Sequence, residues 1–232
     1  MRIFEVYKDF FQFILNPNKV LNTGKILRFF LLEYIILYIT NIILRVLIFL
    51  FAMGFYDIPQ TSSDLPSVSF FLAVILGPLM EELGFRLSLK FSKLNLSISS
   101  VVLLYYFITK FIFKLSIFDF ESFILLRVLI PLSIGVLMYF LASIYKTKLS
   151  SFFSEKLQII VFVSSFLFGL IHFDNINSVF PIYLYLLFLF PYFLSGLIYS
   201  YFRIKYSFSY NTSAHIFTNF SSKFLSKILS YI

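Results

Sequence analysis

Cysteine is absent from the 232-residue sequence, and histidine occurs only twice. The absence of cysteine excludes disulfide bonds, thiolate metal sites and a cysteine nucleophile. Any imidazole chemistry must therefore use His172 or His215. The sequence also lacks the HExxH signature of zincins and a serine in a recognisable nucleophile elbow.

Charged residues are scarce as well. They make up 13% of the sequence, whereas 60% is hydrophobic and the mean hydropathy is +0.93. Soluble domains are usually about 25% charged and about 45–50% apolar, so most of the surface of this protein must face lipid. The formal net charge of +8 is typical of Lys and Arg at the cytoplasmic ends of membrane helices. Basic and aromatic residues do not alternate as in a nucleic-acid groove, so no nucleic-acid partner is expected.

Long apolar runs dominate what remains. A membrane-spanning helix needs about 20 mostly apolar residues, and about seven such runs can be distinguished. They are 27–53, 68–89, 96–115, 122–145, 157–173, 179–202 and 211–230. The runs lack the polar–apolar alternation of barrel strands. We therefore predict an all-α, polytopic membrane helix bundle with about seven transmembrane helices.

The distribution of charge suggests how the chain is organised. Basic residues are concentrated near the N-terminus, whereas the loop near 54–67 carries Asp57 and Asp64 and no basic residue. This bias predicts that residues 1–26 form a cytoplasmic or interfacial arm and that residues 27–232 form one membrane-embedded domain. The abundance of Phe, Ile, Lys, Asn and Ser favours an AT-rich genome and hence the bacterial cytoplasmic membrane.

Two adjacent glutamates, Glu81 and Glu82, lie inside the apolar run 68–89, and Arg86 follows Glu82 by four residues. A charged side chain at membrane depth costs at least about 2.5–3.5 kcal/mol, so each needs a partner or a function. Glu82 and Arg86 can pair along one helix face, which leaves Glu81 free to face a cavity as a general base. The alternative is a charged cluster that only ties helices together.

Both histidines also lie in apolar runs. His172 is near the end of 157–173, and His215 is near the start of 211–230 with Asn219 four residues later. Because positions four apart share a helix face, His215 and Asn219 can donate two hydrogen bonds to one oxyanion. Taken singly, His172 is better explained as a helix cap or as a partner of a backbone carbonyl. The His215–Asn219 pair is equally consistent with polar contacts between helices.

Together these segments resemble a known family. Glu81-Glu82-x-x-x-Arg86, Phe168-x-x-x-His172 and His215-x-x-x-Asn219 resemble, in the same order, three motifs of the CPBP family. That family comprises the type II CAAX prenyl endopeptidases and the bacterial bacteriocin-processing or Abi-type membrane proteins. The resemblance covers roughly residues 66–222. One departure is that the runs 96–115 and 122–145 separate the first two motifs, where many members have a shorter connection.

The resemblance implies hydrolysis of a peptide bond inside the bilayer, with a peptide or protein as the substrate. It implies that Glu81 activates a water with the help of His172, and that His215 and Asn219 stabilise the oxyanion. Glu82 and Arg86 would support the site by orienting its first helix.

A zinc-dependent reaction is equally consistent with the sequence. Glu81, His172 and His215 form a hydrolytic zinc set that leaves the fourth position to water. Members of the family have been described both as metalloproteases and as glutamate-dependent proteases.

Two other functions remain open at this stage. A transporter or proton channel would use the charges that lie within apolar runs, although the repeats typical of transporters are lacking. Those charges are Glu33, Arg45, Lys110 and Arg127. An inactive member of the family, acting as an immunity or scaffold protein, is the other alternative.

Overall fold

The computed structural model describes residues 3–20, 27–55, 69–173 and 182–229. Several sequence predictions extend beyond these residues. The parts outside them are the ends of the predicted arm at 1–2 and 21–26, Asp57 and Asp64, the first residues of the runs 68–89 and 179–202, and the last residue of the run 211–230.

Within the described ranges the protein has nine α-helices and no β-strand. They are α1 (Ile3–Leu15), α2 (Leu27–Phe55), α3 (Gly77–Phe85), α4 (Lys93–Phe107), α5 (Ile124–Ile144), α6 (Lys146–Glu155), α7 (Leu157–Leu170), α8 (Ile182–Lys205) and α9 (Phe208–Leu229). Two π-helical segments, Leu72–Leu76 and Ile108–Ile112, extend α3 and α4. The predicted all-α membrane bundle is confirmed.

Four helical segments in this part of the chain are long and apolar enough to cross a membrane: 27–54, 93–112, 124–144 and 183–205. Helices α6 and α7, which meet at a bend of 78°, would together make a fifth. Each of the seven predicted runs contains a helix, but α3 has only 9 residues and α7 only 14, which is shorter than the roughly 20 residues that a span requires. Helix α9 has 22 residues but is not among the helices that are apolar enough. The figure of about seven spans therefore stays a prediction.

Helix α1 was not anticipated from the sequence. Its buried face, Val6, Phe10 and Phe13, belongs to the main core, where Phe10 and Phe13 pack edge-on against Tyr201 of α8. The opposite face exposes other large apolar side chains, including Phe4 and Phe11. The polar residues Glu5, Lys8, Asp9 and Gln12 recur at three- and four-residue spacing, so α1 is amphipathic and this pattern could have indicated it, although the helix is too short for a span.

A buried charge network fixes α1 to the bundle. Lys205 of α8 donates to Glu33 Oε1 at 2.6 Å, to Asp9 Oδ2 at 2.9 Å and to Tyr201 Oη at 2.7 Å. Tyr201 and Tyr206 both donate to Glu33 Oε2 at 3.0 Å. Glu33 is thus neutralised where it lies and is part of a structural network that joins α1, α2 and α8.

Arg127 of α5 organises the loop between α4 and α5. Its Nε donates to Thr109 Oγ1 at 3.1 Å, its Nη1 to the carbonyls of Asp119 and Ser122 at 2.6 and 2.9 Å, and its Nη2 to Tyr105 Oη and the Ser116 carbonyl at 3.1 and 3.2 Å. These bonds use all five N–H groups of the guanidinium. Arg127 therefore has a local structural role that explains its burial.

Gly135 allows α4 and α5 to approach closely. A Cβ at this position would lie 2.2 Å from Val101 Cγ2, and Ser97 Oγ donates to the Gly135 carbonyl at 2.7 Å. We expect Gly135→Ala to lower the free energy of unfolding by about 1–3 kcal/mol because the helices must move apart. Thermal unfolding in detergent micelles measures this.

Gly54→Ala is the matched control, since nothing lies within 4 Å of a Cβ added there. Alanine favours a helix over glycine by about 1 kcal/mol, so this variant should be neutral or more stable. Equal stability of the two variants would contradict the packing role of Gly135.

Candidate active site

Helix α3 is a short helix held in place by side chains from its neighbours. Ser99 of α4 donates to the Leu83 carbonyl at 2.8 Å, and Ser164 of α7 donates to the Phe85 carbonyl at 2.5 Å. Arg203 of α8 donates from Nε to the Arg86 carbonyl at 3.2 Å. The last carbonyls of a helix need such partners where water is excluded. The residues on α3 are therefore fixed relative to three other helices.

The start of α3 depends on a π-helical turn and a proline. The Gly77 N–H donates to the Leu72 carbonyl, five residues earlier. In this pattern the next N–H would bond Ala73, but Pro78 has none. Asn219 of α9 supplies the missing donor, with Nδ2 at 3.0 Å from the Ala73 carbonyl. Asn219 thus ties α9 to the turn that leads into α3.

Glu82 is the centre of a fully buried polar cluster. Its Oε1 lies 2.8 Å from His215 Nδ1, and its Oε2 accepts a hydrogen bond from Asn211 Nδ2. The predicted ion pair with Arg86 is present, with 3.5 Å between Arg86 Nη1 and Glu82 Oε1. Glu82 and Arg86 are both 0% exposed. The cluster joins α3 to α9.

Arg86 lies in a tight space between helices. Its guanidinium carbon is 3.9 Å from the centre of the Phe168 ring. A Cβ on Gly196 of α8 would lie 3.1 Å from Arg86 Nη2 and 2.9 Å from Ser165 Cα. The three guanidinium nitrogens have no hydrogen-bond partner among the described residues. The charge of Arg86 is therefore balanced mainly by Glu82 and by the face of the Phe168 ring.

Glu81 faces both histidines. Its Oε2 is 3.6 Å from His215 Nε2 and 4.0 Å from His172 Nε2. This oxygen is buried and makes no hydrogen bond in the described part of the chain. The Glu81 and His172 side chains keep 14% and 15% of their exposure, in contrast to the sealed Glu82. Glu81 Oε2 thus lies within 4.0 Å of an imidazole nitrogen of each histidine.

The second nitrogen of each imidazole has a different partner. His172 Nδ1 lies 2.8 Å from the Phe168 carbonyl, which can only accept, so Nδ1 carries the proton and a neutral ring keeps a lone pair on Nε2. His215 Nδ1 instead faces the Glu82 carboxylate. A carboxylate oxygen accepts, so the Nδ1–H of His215 donates to Glu82. Both imidazoles therefore direct Nε2 at Glu81, one held by a carbonyl and the other by a carboxylate.

Aromatic rings hold both imidazoles in place. His215 stacks on Tyr199 with 4.5 Å between ring centroids, and His172 stacks on Tyr192 at the same distance. Phe168 contacts both histidines, with centroid distances of 5.6 and 4.7 Å. Rings packed in this way cannot rotate freely, so the Nε2 atoms stay directed at Glu81.

The structure brings together most of the residues singled out from the sequence. Glu81 from α3, His172 from the turn after α7 and His215 from α9 converge, with Glu82 and Arg86 directly behind them. Asn219, expected beside His215 at an oxyanion, is instead seen bonded to the Ala73 carbonyl.

Sequence reasoning missed Asn211, Tyr192 and Tyr199. Asn211 lies four residues before His215, so the spacing that linked His215 to Asn219 could also have indicated it. The two tyrosines carry no such signal, because they are 2 of 16 in the chain.

In the described ranges no group of three or more His, Cys, Asp or Glu side chains is placed to hold a metal ion. Of the suggested zinc ligands, His172 and His215 are held at Nδ1 by the Phe168 carbonyl and the Glu82 carboxylate, as histidines that bind a metal through Nε2 commonly are. Glu81 Oε2 lies 3.6 and 4.0 Å from the two Nε2 atoms.

A cavity of about 360 Å³ lies between α3, α4 and α5. Its walls are apolar and include Leu76 and Met80, the latter directly before Glu81 in sequence. The buried Tyr106 hydroxyl has no hydrogen-bond partner among the described residues, and it interacts electrostatically with Glu81. The helices that separate the first two sequence motifs thus form a chamber beside the carboxylate.

Comparison with known proteins gives one match. The model of a protein family described as type II CAAX prenyl endopeptidase Rce1-like matches residues 63–221, which is more than half of the chain. No curated protein and no solved structure matches the chain.

Proposed function

Because the chain belongs to the Rce1-like family of type II CAAX prenyl endopeptidases, we propose that it cleaves a peptide bond with a water activated by Glu81. At the family level the protein is an intramembrane protease of the CAAX type, and its apolar helices make it an integral membrane protein.

One observation carries the proposal: Glu81 Oε2 lies between the Nε2 atoms of two histidines, at 3.6 and 4.0 Å. A water placed among these atoms could be oriented by an imidazole and give a proton to the Glu81 carboxylate as its oxygen attacks the peptide carbonyl. The protonated Glu81 could then pass that proton to the leaving amine when the C–N bond breaks. General-base catalysis of this kind contributes about 10²–10⁴-fold in rate. The site is nearly closed to solvent, so the charges in it interact strongly.

The two histidines take different roles in the proposed reaction. His172 is neutral with a lone pair on Nε2, and it assists Glu81 in accepting the proton of the water. We assign the donor role to His215, because its Nδ1 is held by the Glu82 carboxylate and its Nε2 is the closer of the two to Glu81 Oε2. It donates from Nε2 to the oxyanion of the tetrahedral intermediate. One such donor is worth about 10²–10³ in rate.

Asn219 is proposed as the second oxyanion donor. Its amide has two N–H groups, and the bond to the Ala73 carbonyl requires only one of them. The remaining N–H lies one helical turn from His215 on the same face. In this proposal one N–H of Asn219 holds the π-helical turn while the other contacts the substrate.

The proposed reaction does not use a metal ion. The proposal rests on the position of Glu81 as a general base, and no group of three or more His, Cys, Asp or Glu side chains in the described ranges is placed to hold a metal ion. If zinc were nevertheless held by Glu81, His172 and His215, it would supply a water with a lowered pKa of about 7.

The proposed substrate is a peptide or protein that reaches the site from the bilayer. The apolar cavity between α3, α4 and α5 would receive its apolar side chains. The bacterial cytoplasmic membrane is the proposed location, and a function like that of the Abi-type members of the family is part of the proposal.

The test is cleavage by purified protein in lipid nanodiscs. A mixed library of apolar peptides is incubated with the wild type, His172→Ala and His215→Ala, and products are identified by mass spectrometry. We expect wild-type cleavage that survives exhaustive chelation, and a loss of at least about 10²-fold in each variant. Parallel metal analysis of the protein separates the two chemistries.

Cleavage by His172→Ala or His215→Ala at the rate of the wild type would contradict the proposal. Activity that chelation abolishes and zinc restores would instead show the metal-dependent reaction. An intact wild type that cleaves no peptide would favour an inactive immunity or scaffold protein.

A further inference from the structure

Arg45 is a charged residue at membrane depth that the site described so far does not use. It lies on α2, within the span 27–54, and lipid-facing neighbours such as Val46 and Leu47 are exposed. It has no carboxylate partner among the residues that the structure describes. Its polar contact is a long one, 3.5 Å from Nη2 to Ser195 Oγ.

Arg45 is close to the candidate active site. Its guanidinium carbon lies 4.4 Å from the centre of the Tyr192 ring. The same ring stacks on His172 with 4.5 Å between centroids. A single aromatic side chain therefore connects Arg45 with the histidine that faces Glu81, and Arg45 and His172 interact electrostatically.

A contact between helices does not account for this arginine. One turn earlier, Asn41 already joins α2 to α8 by donating to Ser195 Oγ at 2.6 Å. Arg127 shows how this protein satisfies a structural arginine, since all five of its N–H groups have acceptors. Most N–H groups of Arg45 have none in the described structure. A guanidinium in this state can take an anion in bidentate fashion.

We propose that Arg45 binds a carboxylate of the peptide substrate, either its C-terminus or an acidic side chain. The proposal rests on the proposed function, because it places that carboxylate beside the bond to be cleaved. The steps from Arg45 to the Tyr192 ring, from that ring to His172 and from His172 to Glu81 are 4.4, 4.5 and 4.0 Å. Because an extended peptide covers about 3.3–3.6 Å per residue, the carboxylate should lie within about four residues of the scissile bond. Arg45 is a binding residue in this proposal and takes no part in the chemical step.

The experiment compares peptides that differ only in charge. Peptides cleaved by the wild type are made with a C-terminal acid or amide, and with Asp or Asn at successive positions near the scissile bond. Rates are measured for the wild type, Arg45→Gln, Arg45→Lys and Asn41→Ala. Binding of the same fluorescein-labelled peptides to the Glu81→Gln protein, with and without Arg45→Gln, gives a readout that does not require turnover.

We expect the wild type to prefer one carboxylate position by about ten- to a hundredfold in kcat/KM, as a hydrogen-bonded charge allows. Arg45→Gln should remove this preference by raising KM, with kcat unchanged and the uncharged peptides unaffected. Arg45→Lys should keep part of the preference, because it retains the charge without the planar fork. Asn41→Ala, on the same face of α2, should keep all of it.

Several results would overturn the proposal. These are a preference that persists in Arg45→Gln, an equal loss in Asn41→Ala, or a wild type that treats acid and uncharged peptides alike. An anionic phospholipid that copurifies with the wild type but not with Arg45→Gln, while peptide preference is unchanged, would assign Arg45 to lipid. In each case continued cleavage of the uncharged peptides leaves the proposed function intact, whereas no cleavage and no peptide binding would remove both.

Discussion

Glu81→Gln is expected to cleave peptides about 10²–10⁴-fold more slowly than the wild type while it folds and inserts normally. The glutamine keeps the size of the side chain but cannot accept a proton from water. Folding should be unaffected because Glu81 Oε2 has no hydrogen-bond donor in the described structure that depends on its charge. Single-turnover rates in nanodiscs, with thermal unfolding of the same samples, measure both quantities.

Glu155→Gln serves as the control for Glu81→Gln, because Glu155 is an exposed carboxylate on α6. It should leave rate and stability unchanged. If Glu81→Gln retained near-wild-type turnover, the water would have to be activated by another group, and the assignment of the general base would be wrong.

Glu82→Ala, in contrast to Glu81→Gln, is expected to lower the stability of the folded protein. Glu82 is fully buried, accepts from Asn211 and His215, and is the carboxylate nearest to Arg86. Its removal leaves the guanidinium of Arg86 buried without a counter-charge, which costs about 3–5 kcal/mol when one partner of a buried pair is deleted. Thermal unfolding and the yield of monodisperse protein measure the loss.

A double variant distinguishes the effect of the unpaired Arg86 charge from the effect of the lost Glu82 side-chain packing. Glu82→Ala combined with Arg86→Met removes both charges and should recover part of the stability that the single variant loses. Glu155→Ala should stay within about 0.5 kcal/mol of the wild type, as expected for an exposed position. Normal yield together with normal activity in Glu82→Ala would contradict the supporting role of Glu82.

The helical fold could be predicted because its signal is large. Runs such as 27–53 and 122–145 are apolar over the length of a span, and α2 and α5 follow them within about two residues. The run 68–89 was harder to interpret. It contains a π-helical turn, a proline and a 3₁₀ segment, so the continuous apolar run does not form one continuous helix. Hydropathy measures transfer to lipid and carries no information about such irregularities.

The polar residues of the candidate site could be predicted because an ionisable side chain is conspicuous in an apolar run. Few groups in the chain are both ionisable and placed in apolar runs, so Glu81, His172 and His215 stand out. Which of these side chains would contact each other could not be predicted. Glu82 bonds His215, and Glu81 faces both imidazoles, because of the way α3, α7 and α9 are rotated about their axes. The aromatic supports, Tyr192 and Tyr199, are indistinguishable in sequence from tyrosines that face lipid.

The bond between Asn219 and the Ala73 carbonyl restricts which side chain can occupy position 219. The carbonyl has lost its backbone partner because Pro78 follows in the next turn, so it requires a donor from outside the helix. An aspartate has the same shape, but its ionised form can only accept, and it would place two acceptors against each other. A single proline in one helix thus dictates the choice of amide over acid in another helix, 141 positions later in the chain.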